Sequence, residues 1–196
     1  GYSDKKILVR DMQGKDAQYK KAELQSVDFR LEIEENKVQE HLLNKRWEEA
    51  AAELINGVMP VLPCIDLYEN NAVEYLMDAG NYIMTSALEE ELKCPPDKPS
   101  PKAEDKFKRA YRVYLNVEKA DWHPEAKVAQ LKAVLCLLHL GRLDKASEKF
   151  DGIGEPEMGD RGYGLYYMTY GQILYRKKEV KEALMAAIKS SAFDNK

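Results

Sequence analysis

Apolar residues in the middle of this chain recur with the period of a helix. In "NNAVEYLMDAGNYIMTSALEEELK" they fall at Val73, Leu76, Met77, Gly80, Ile83, Met84 and Leu88, one face of a long helix. "NKRWEEAAAELI" puts Trp47, Ala50, Ala51 and Leu54 in the same register. "AEDKFKRAYRVYLNVEK", "EAKVAQLKAVLCLLHLG", "RLDKASEKF", "GYGLYYMTYGQILYR" and "KKEVKEALMAAIKSS" follow as further helices. Punctuation separates them. Pro60 and Pro63 mark a loop or kinked entry, and "DWHP" is a stop. Glycine and proline break residues 152–162, and "CPPDKPSPK" places four prolines in nine residues, a solvent loop over 94–102.

The first 33 residues read differently. "KKILVRDM" is a short β-branched run, and "VDFRLEIE" alternates apolar and polar as a half-buried strand does. Helical spacing also fits Leu24, Val27, Leu31, Val38 and Leu42, so a hairpin across 6–34 and one long helix from about residue 17 both satisfy the pattern. The alternation favours extended structure early and helix from Glu34 onward. The chain thus divides into an N-terminal segment, 1–33, and a helical domain, 34–196.

Small residues repeat along that domain. Ala146 precedes Phe150 by four, Ala183 precedes Ala187, Ala110 precedes Tyr114, and Ala50 precedes Leu54. Ala183 follows Ala146 by 37 positions, Ala146 follows Ala110 by 36, and Ala110 follows Ala50 by 60. Gly80 and Gly171 stand in mid-helix, where each costs about 1 kcal/mol against Ala. Close passage of a neighbouring helix accounts for both, and the regular interval points to helical hairpins packed in series.

These features resemble the tetratricopeptide repeat, whose period is roughly 34 residues. The best copy is 127–160, with Gly141 at the turn, then Leu143, Ala146 and Phe150. The next, from about 164, carries Tyr167, Tyr170, Gly171, Leu174, Val180 and Ala183. A split copy pairs Leu76, Ala79, Gly80 and Ile83 with Ala110, Tyr114 and Pro124, and a fourth, around 34–57, matches only in its second helix. The resemblance implies an all-α fold, an α-solenoid of about four antiparallel hairpins.

In that family the first helix of each hairpin lines a concave groove. By position, this implies a lining of Met77, Asn81 and Met84, then Val128, Leu131, Leu135 and Leu138, then Leu165, Met168, Gln172 and Tyr175. Such a groove is apolar and methionine-rich and suits a helical or hydrophobic peptide. The alternative is that the N-terminal segment or another helix of the full-length protein fills it. A subclass of the family clamps a C-terminal carboxylate with Lys, Asn and Arg side chains. Asn81, directly after Gly80, matches its asparagine, but the expected lysine is Met77 here, and Lys127 is followed four residues on by Leu131.

Composition narrows the function. Thirty Lys and Arg against 34 Asp and Glu give a net charge of −4, with no basic surplus to neutralise phosphates. Nucleic acid and an anionic membrane surface are therefore disfavoured as partners, and no apolar run approaches the roughly 20 residues of a membrane helix. Cys64, Cys94 and Cys136 fit neither a zinc spacing nor a disulfide framework and read as free thiols in a reducing, cytoplasmic setting. His41, His123 and His139 stand at no ligand or catalytic spacing, and no phosphate loop or nucleophile motif occurs. "EIEEN" and "EEEL" read as solvated helix faces. Pro96 and Pro99 have PxxP spacing and Ser100 precedes Pro101, a candidate ligand or phosphosite. The absent initiator Met suggests an excised piece.

The expectation is a non-enzymatic scaffold, with no cofactor or metal, that holds a protein partner inside a larger assembly. A regulatory or substrate-recruiting domain of a multidomain enzyme is the alternative.

Overall fold

The computed structural model describes residues 6–10, 16–20, 27–95 and 100–192. Two strands, β1 (Lys6–Arg10) and β2 (Asp16–Lys20), pair antiparallel, with Ile7 opposite Tyr19 and Val9 opposite Ala17. Eight α-helices follow among the described residues: α1 (Glu35–Leu43), α2 (Trp47–Val58), α3 (Ala72–Glu91), α4 (Pro101–Val117), α5 (Pro124–His139), α6 (Leu143–Asp151), α7 (Tyr163–Arg176) and α8 (Val180–Ser191). The protein is mostly helical. Pro60 and Pro63 sit in a 3₁₀ turn, Met59–Cys64, that ends the second helix.

"VDFRLEIE" does not extend the hairpin. It runs as irregular extended chain with one bridge, Val27 to Asn70, yet its alternation survives, because Phe29, Leu31 and Ile33 are half-buried between exposed Asp28, Arg30, Glu32 and Glu34. The Asn71 side chain takes the place of a neighbouring strand. It accepts from Phe29 N at 3.0 Å and donates to Phe29 O at 2.9 Å. Ile33 fills the notch at Gly57, where a Cβ would lie 2.3 Å from Ile33 Cγ1.

Helices pack with their sequence neighbours as α1–α2, α3–α4, α5–α6 and α7–α8 hairpins. Hairpins join through α2–α3, α4–α5 and α6–α7, and also through α3–α5 and α5–α7. Three of the four hairpins turn in the same way. Lys45, Gly141 and Lys178 hold φ of 54°, 68° and 66°, and the following residue bonds back five positions, Arg46 N to His41 O, Arg142 N to Leu137 O and Glu179 N to Leu174 O. This Schellman geometry satisfies carbonyls that the helix end would leave unpaired. Four residues past each cap, Ala50, Ala146 and Ala183 donate from their backbone N–H to the capping carbonyls of Arg46, Arg142 and Glu179.

The second hairpin, α3–α4, departs from the expected alignment. Helices α3 and α4 run for 20 and 17 residues, and Ala110 lies ten residues beyond the cap, Ser100, not four. The proline-bearing insertion lengthens both helices, so the 60-residue interval relates positions that are not equivalent. The PxxP pair, Pro96 and Pro99, lies outside the described residues. Ser100 is buried, and its Oγ accepts from Ala103 N at 3.3 Å, with Pro101 opening the helix. The hydroxyl is thus a helix cap, which argues against the phosphosite reading.

Both mid-helix glycines sit at helix crossings. A Cβ at Gly80 would meet the Tyr114 ring at 2.6 Å, and one at Gly171 would lie 3.3 Å from Ala183 O. Most buried apolar residues from Val38 to Ile173 form one core. Tyr167, Leu174, Ala183 and Ala186 form a separate, smaller cluster inside the last hairpin.

Candidate functional site

The expected single groove is divided three ways. Met77, Asn81, Val128 and Leu165 line a cleft of about 760 Å³ bounded by α3, α5, the start of α7 and the loop before it. Met168, Gln172 and Tyr175 line a second groove, of about 530 Å³, between α7 and α8. Met84, Leu131, Leu135 and Leu138 line neither. Their exposures are 9%, 2%, 4% and 2%, and they belong to the core. The expectation that Leu131, Leu135 and Leu138 present an open stripe is corrected by the loop between α6 and α7. That loop turns at Gly162, φ 92°, where a Cβ would lie 3.5 Å from Val128 and 3.8 Å from Leu131. α5 is apolar on both flanks because α3, α4, α6 and α7 all pack against it.

The cleft is polar, not methionine-rich. Tyr114 is fully buried beneath α3, and its hydroxyl donates to Asn81 Oδ1 at 3.1 Å. Lys132 Nζ, from the half-buried middle of α5, donates to the same oxygen at 2.7 Å. Burial lowers the Lys132 pKa, against the pull of Glu125, Cys136 and Asp78. Burial raises that of Asp78, and the nearby carboxylates of Glu125 and Glu74 push it further in the same direction. Glu125, only 6% exposed, pairs with Arg161, which reaches down from the loop.

The cleft lining carries the carboxylates Glu74, Asp78, Glu125 and Asp160 against the cations Lys132 and Arg161. The arrangement can accept hydrogen bonds and positive charge at the Glu74–Asp78 side. It can also donate to an anion from Lys132.

Sequence reasoning missed Lys132, Glu125, Arg161 and Tyr114. A lone lysine in the apolar run "QLKAVLCLL" was the available signal for the first, one residue past the position the family pattern suggests. Arg161 carried no signal, because its role depends on how a loop folds back.

Outside the cleft, Cys136 and His139 are both held in the packed interior. Burial pushes the Cys136 thiol up to about 12, which keeps it protonated and unreactive. His139 stacks on Phe107 at 4.5 Å and its Nδ1 lies 2.9 Å from Glu91, but burial still lowers its pKa. No group of three or more His, Cys, Asp or Glu side chains among the described residues could hold a metal ion. No described helix is long and apolar enough to cross a membrane.

No family model, curated protein or solved structure matches the chain.

Proposed function

We propose that this chain is a non-catalytic interaction module, a solenoid of tetratricopeptide type, that holds a segment of a protein partner in the cleft across α3, α5 and α7. The observation that carries this reading is the open, mixed-charge cleft built on Asn81, Lys132 and the Glu125–Arg161 pair. Asn81 is fixed from behind by Tyr114, so its amide is oriented before a partner arrives, and a preorganised donor or acceptor binds at lower entropic cost. The polar lining selects a charged or polar segment in place of the hydrophobic helix that the sequence pattern suggested.

Replacing exposed Glu74 and Asp78 together with Arg tests the reading. Proteins recovered with the wild-type chain by affinity capture and mass spectrometry are expected to be lost with the variant, at unchanged helicity and melting. Recovery of the same proteins would move the function to another surface.

Lys132 beside Asn81 favours a second reading, capture of a C-terminal carboxylate, since the two side chains together offer a matched set of donors. Pools of acetylated hexapeptides with free and amidated C-termini separate the two. Preference for the free acid supports carboxylate capture, and equal binding supports the broader cleft.

A further inference from the structure

The turn before α3 is pinned from inside. Leu67 and Asn70 are both buried, and the Asn70 side chain donates to the carbonyls of Ile65 and Leu67 at 2.9 and 2.6 Å. This leaves Tyr68 and Glu69 facing outward, with Tyr68 50% exposed. The turn before α5 stands beside it. There Trp122 packs on Tyr68, with ring centroids 5.1 Å apart, and on the edge of His123 at 5.0 Å. Its indole N–H is buried with no acceptor among the described residues, so ring contacts and not a hydrogen bond hold it in place. The two turns and the extended chain at Val27 and Asp28 enclose a pocket of about 570 Å³.

The charge in this pocket is one-sided. Asp28, Glu69 and Glu74 line it, all three exposed, and no Lys or Arg does. None of the three makes an ion pair among the described residues. The positive ends of α3 and α5 both reach the pocket, but they are already answered. Ala72 N donates to Asn70 Oδ1, Glu125 N donates to His123 Nδ1, and Glu74 and Glu125 stand in the first turns. What is left over is carboxylate oxygen beside an exposed aromatic face.

That combination selects a cation, since positive charge is drawn both to carboxylates and to the face of an aromatic ring. The ring geometry selects which cation. Tyr68 and Trp122 touch each other, tilted by 54°, so nothing fits between them and a ligand meets an aromatic face on one side only. A quaternary ammonium is held by a cage of several rings, whereas a planar guanidinium stacks on one face and forks onto carboxylates at its edge. We infer that this pocket takes the arginine side chain of a protein partner. Glu74 lines both this pocket and the cleft across α3, α5 and α7, so a segment lying in the cleft reaches the pocket with one side chain. The source of the arginine thus rests on the function proposed above, while the guanidinium site itself does not.

Titration of the full chain with an acetylated, amidated Ala-Ala-Arg-Ala-Ala peptide is the test, followed in a nitrogen–proton correlation spectrum. Trp47 and Trp122 are the two tryptophans of the chain, and only the Trp122 indole signal is expected to move. Asp28→Asn with Glu69→Gln, which line the pocket and not the cleft, should weaken binding about tenfold, whereas Asp78→Asn should not. The same peptide with citrulline in place of arginine should fail to bind, and the lysine peptide should bind more weakly. No movement of the Trp122 signal at about 10 mM peptide, well above a millimolar Kd, would overturn the site, as would equal binding of the citrulline or lysine peptide. Binding that responds to Asp78→Asn alone would also overturn it, placing the cation in the cleft and leaving the function proposed for the cleft intact. Free L-arginine binding more tightly than the peptide would overturn the protein source.

Discussion

The missing Cβ of Gly80 would stand 2.6 Å from Cε1 of Tyr114, inside the limit that two carbon atoms tolerate. That clearance sets how closely α3 and α4 approach, and hence how Tyr114 reaches Asn81 on the cleft wall.

Gly80→Ala is therefore expected to destabilise the chain. An aromatic ring packed on all sides cannot yield, and overpacking costs about 1–3 kcal/mol, more than the roughly 1 kcal/mol that alanine returns as a helix former. Gly171→Ala meets its neighbours only at 3.3 and 3.4 Å, and its two effects should nearly cancel. Thermal melts of the two variants should separate clearly. Equal midpoints would show that the crossing at Gly80 opens easily.

Ala146 is completely buried in the first turn of α6. Ala146→Leu should lower stability by about 1–3 kcal/mol through the same overpacking, read from urea denaturation. An unchanged midpoint would mean that a neighbouring void accepts the side chain.

Leu131→Glu combined with Leu138→Lys would be a surface charge swap on an open groove. With both side chains 2% exposed, it should instead abolish cooperative unfolding, because charges buried without partners are not tolerated. A double variant that melts cooperatively near the wild-type temperature would contradict the burial described here.

Glu48 links α2 to α4, with Lys106 at 2.9 Å and Arg109 at 2.7 Å. Burial acts to raise its pKa, but the hydrogen bonds and charge of Lys106 and Arg109 outweigh it, and the carboxyl ends below its ordinary 4.5. A lowered folded pKa means that the stabilisation is complete above the ordinary glutamate range and is lost as pH falls through the folded value. The stability gap between wild type and Glu48→Gln should thus be constant near neutrality and close below about pH 4.5. Urea midpoints taken along that series check it, and a gap that widens in acid would reverse the assignment.

Lys45 and Lys178 occupy left-handed backbone that costs an L-residue about 1–2 kcal/mol. Lys45→Gly and Lys178→Gly should each stabilise by about 0.5–1 kcal/mol once the greater freedom of glycine in the unfolded chain is deducted. Gly141→Ala should do the reverse, although no atom crowds the position. Denaturant midpoints of the three variants should show both signs.

The helices from Glu35 on were legible because their apolar spacing is dense and their ends carry proline, glycine or short polar turns. The glycine crossings were legible for a related reason, since an unfavourable residue in mid-helix implies a neighbour. The equivalence of Ala110 with Ala146 was not a safe inference, because insertion length lies in the loop and not in the helix pattern. The open groove failed at Leu131 and Leu138 because periodicity shows that α5 is apolar all round but not what covers it. Val128 and Leu165 did reach the cleft, but its chemistry comes from Lys132, Glu125 and Arg161, which only the folded loop brings together.

The small apolar cluster of Tyr167, Leu174, Ala183 and Ala186 gives the last hairpin a core of its own, while α7 also packs on the main one. Among the described elements, α8 packs mainly on α7. The α7–α8 pair can therefore open as a unit while the first three hairpins stay closed, and its amides should exchange with solvent at a free energy below that of global unfolding. This hairpin is thus where the described fold breathes first, and a contact made on α8 would act on local opening before it acts on the whole.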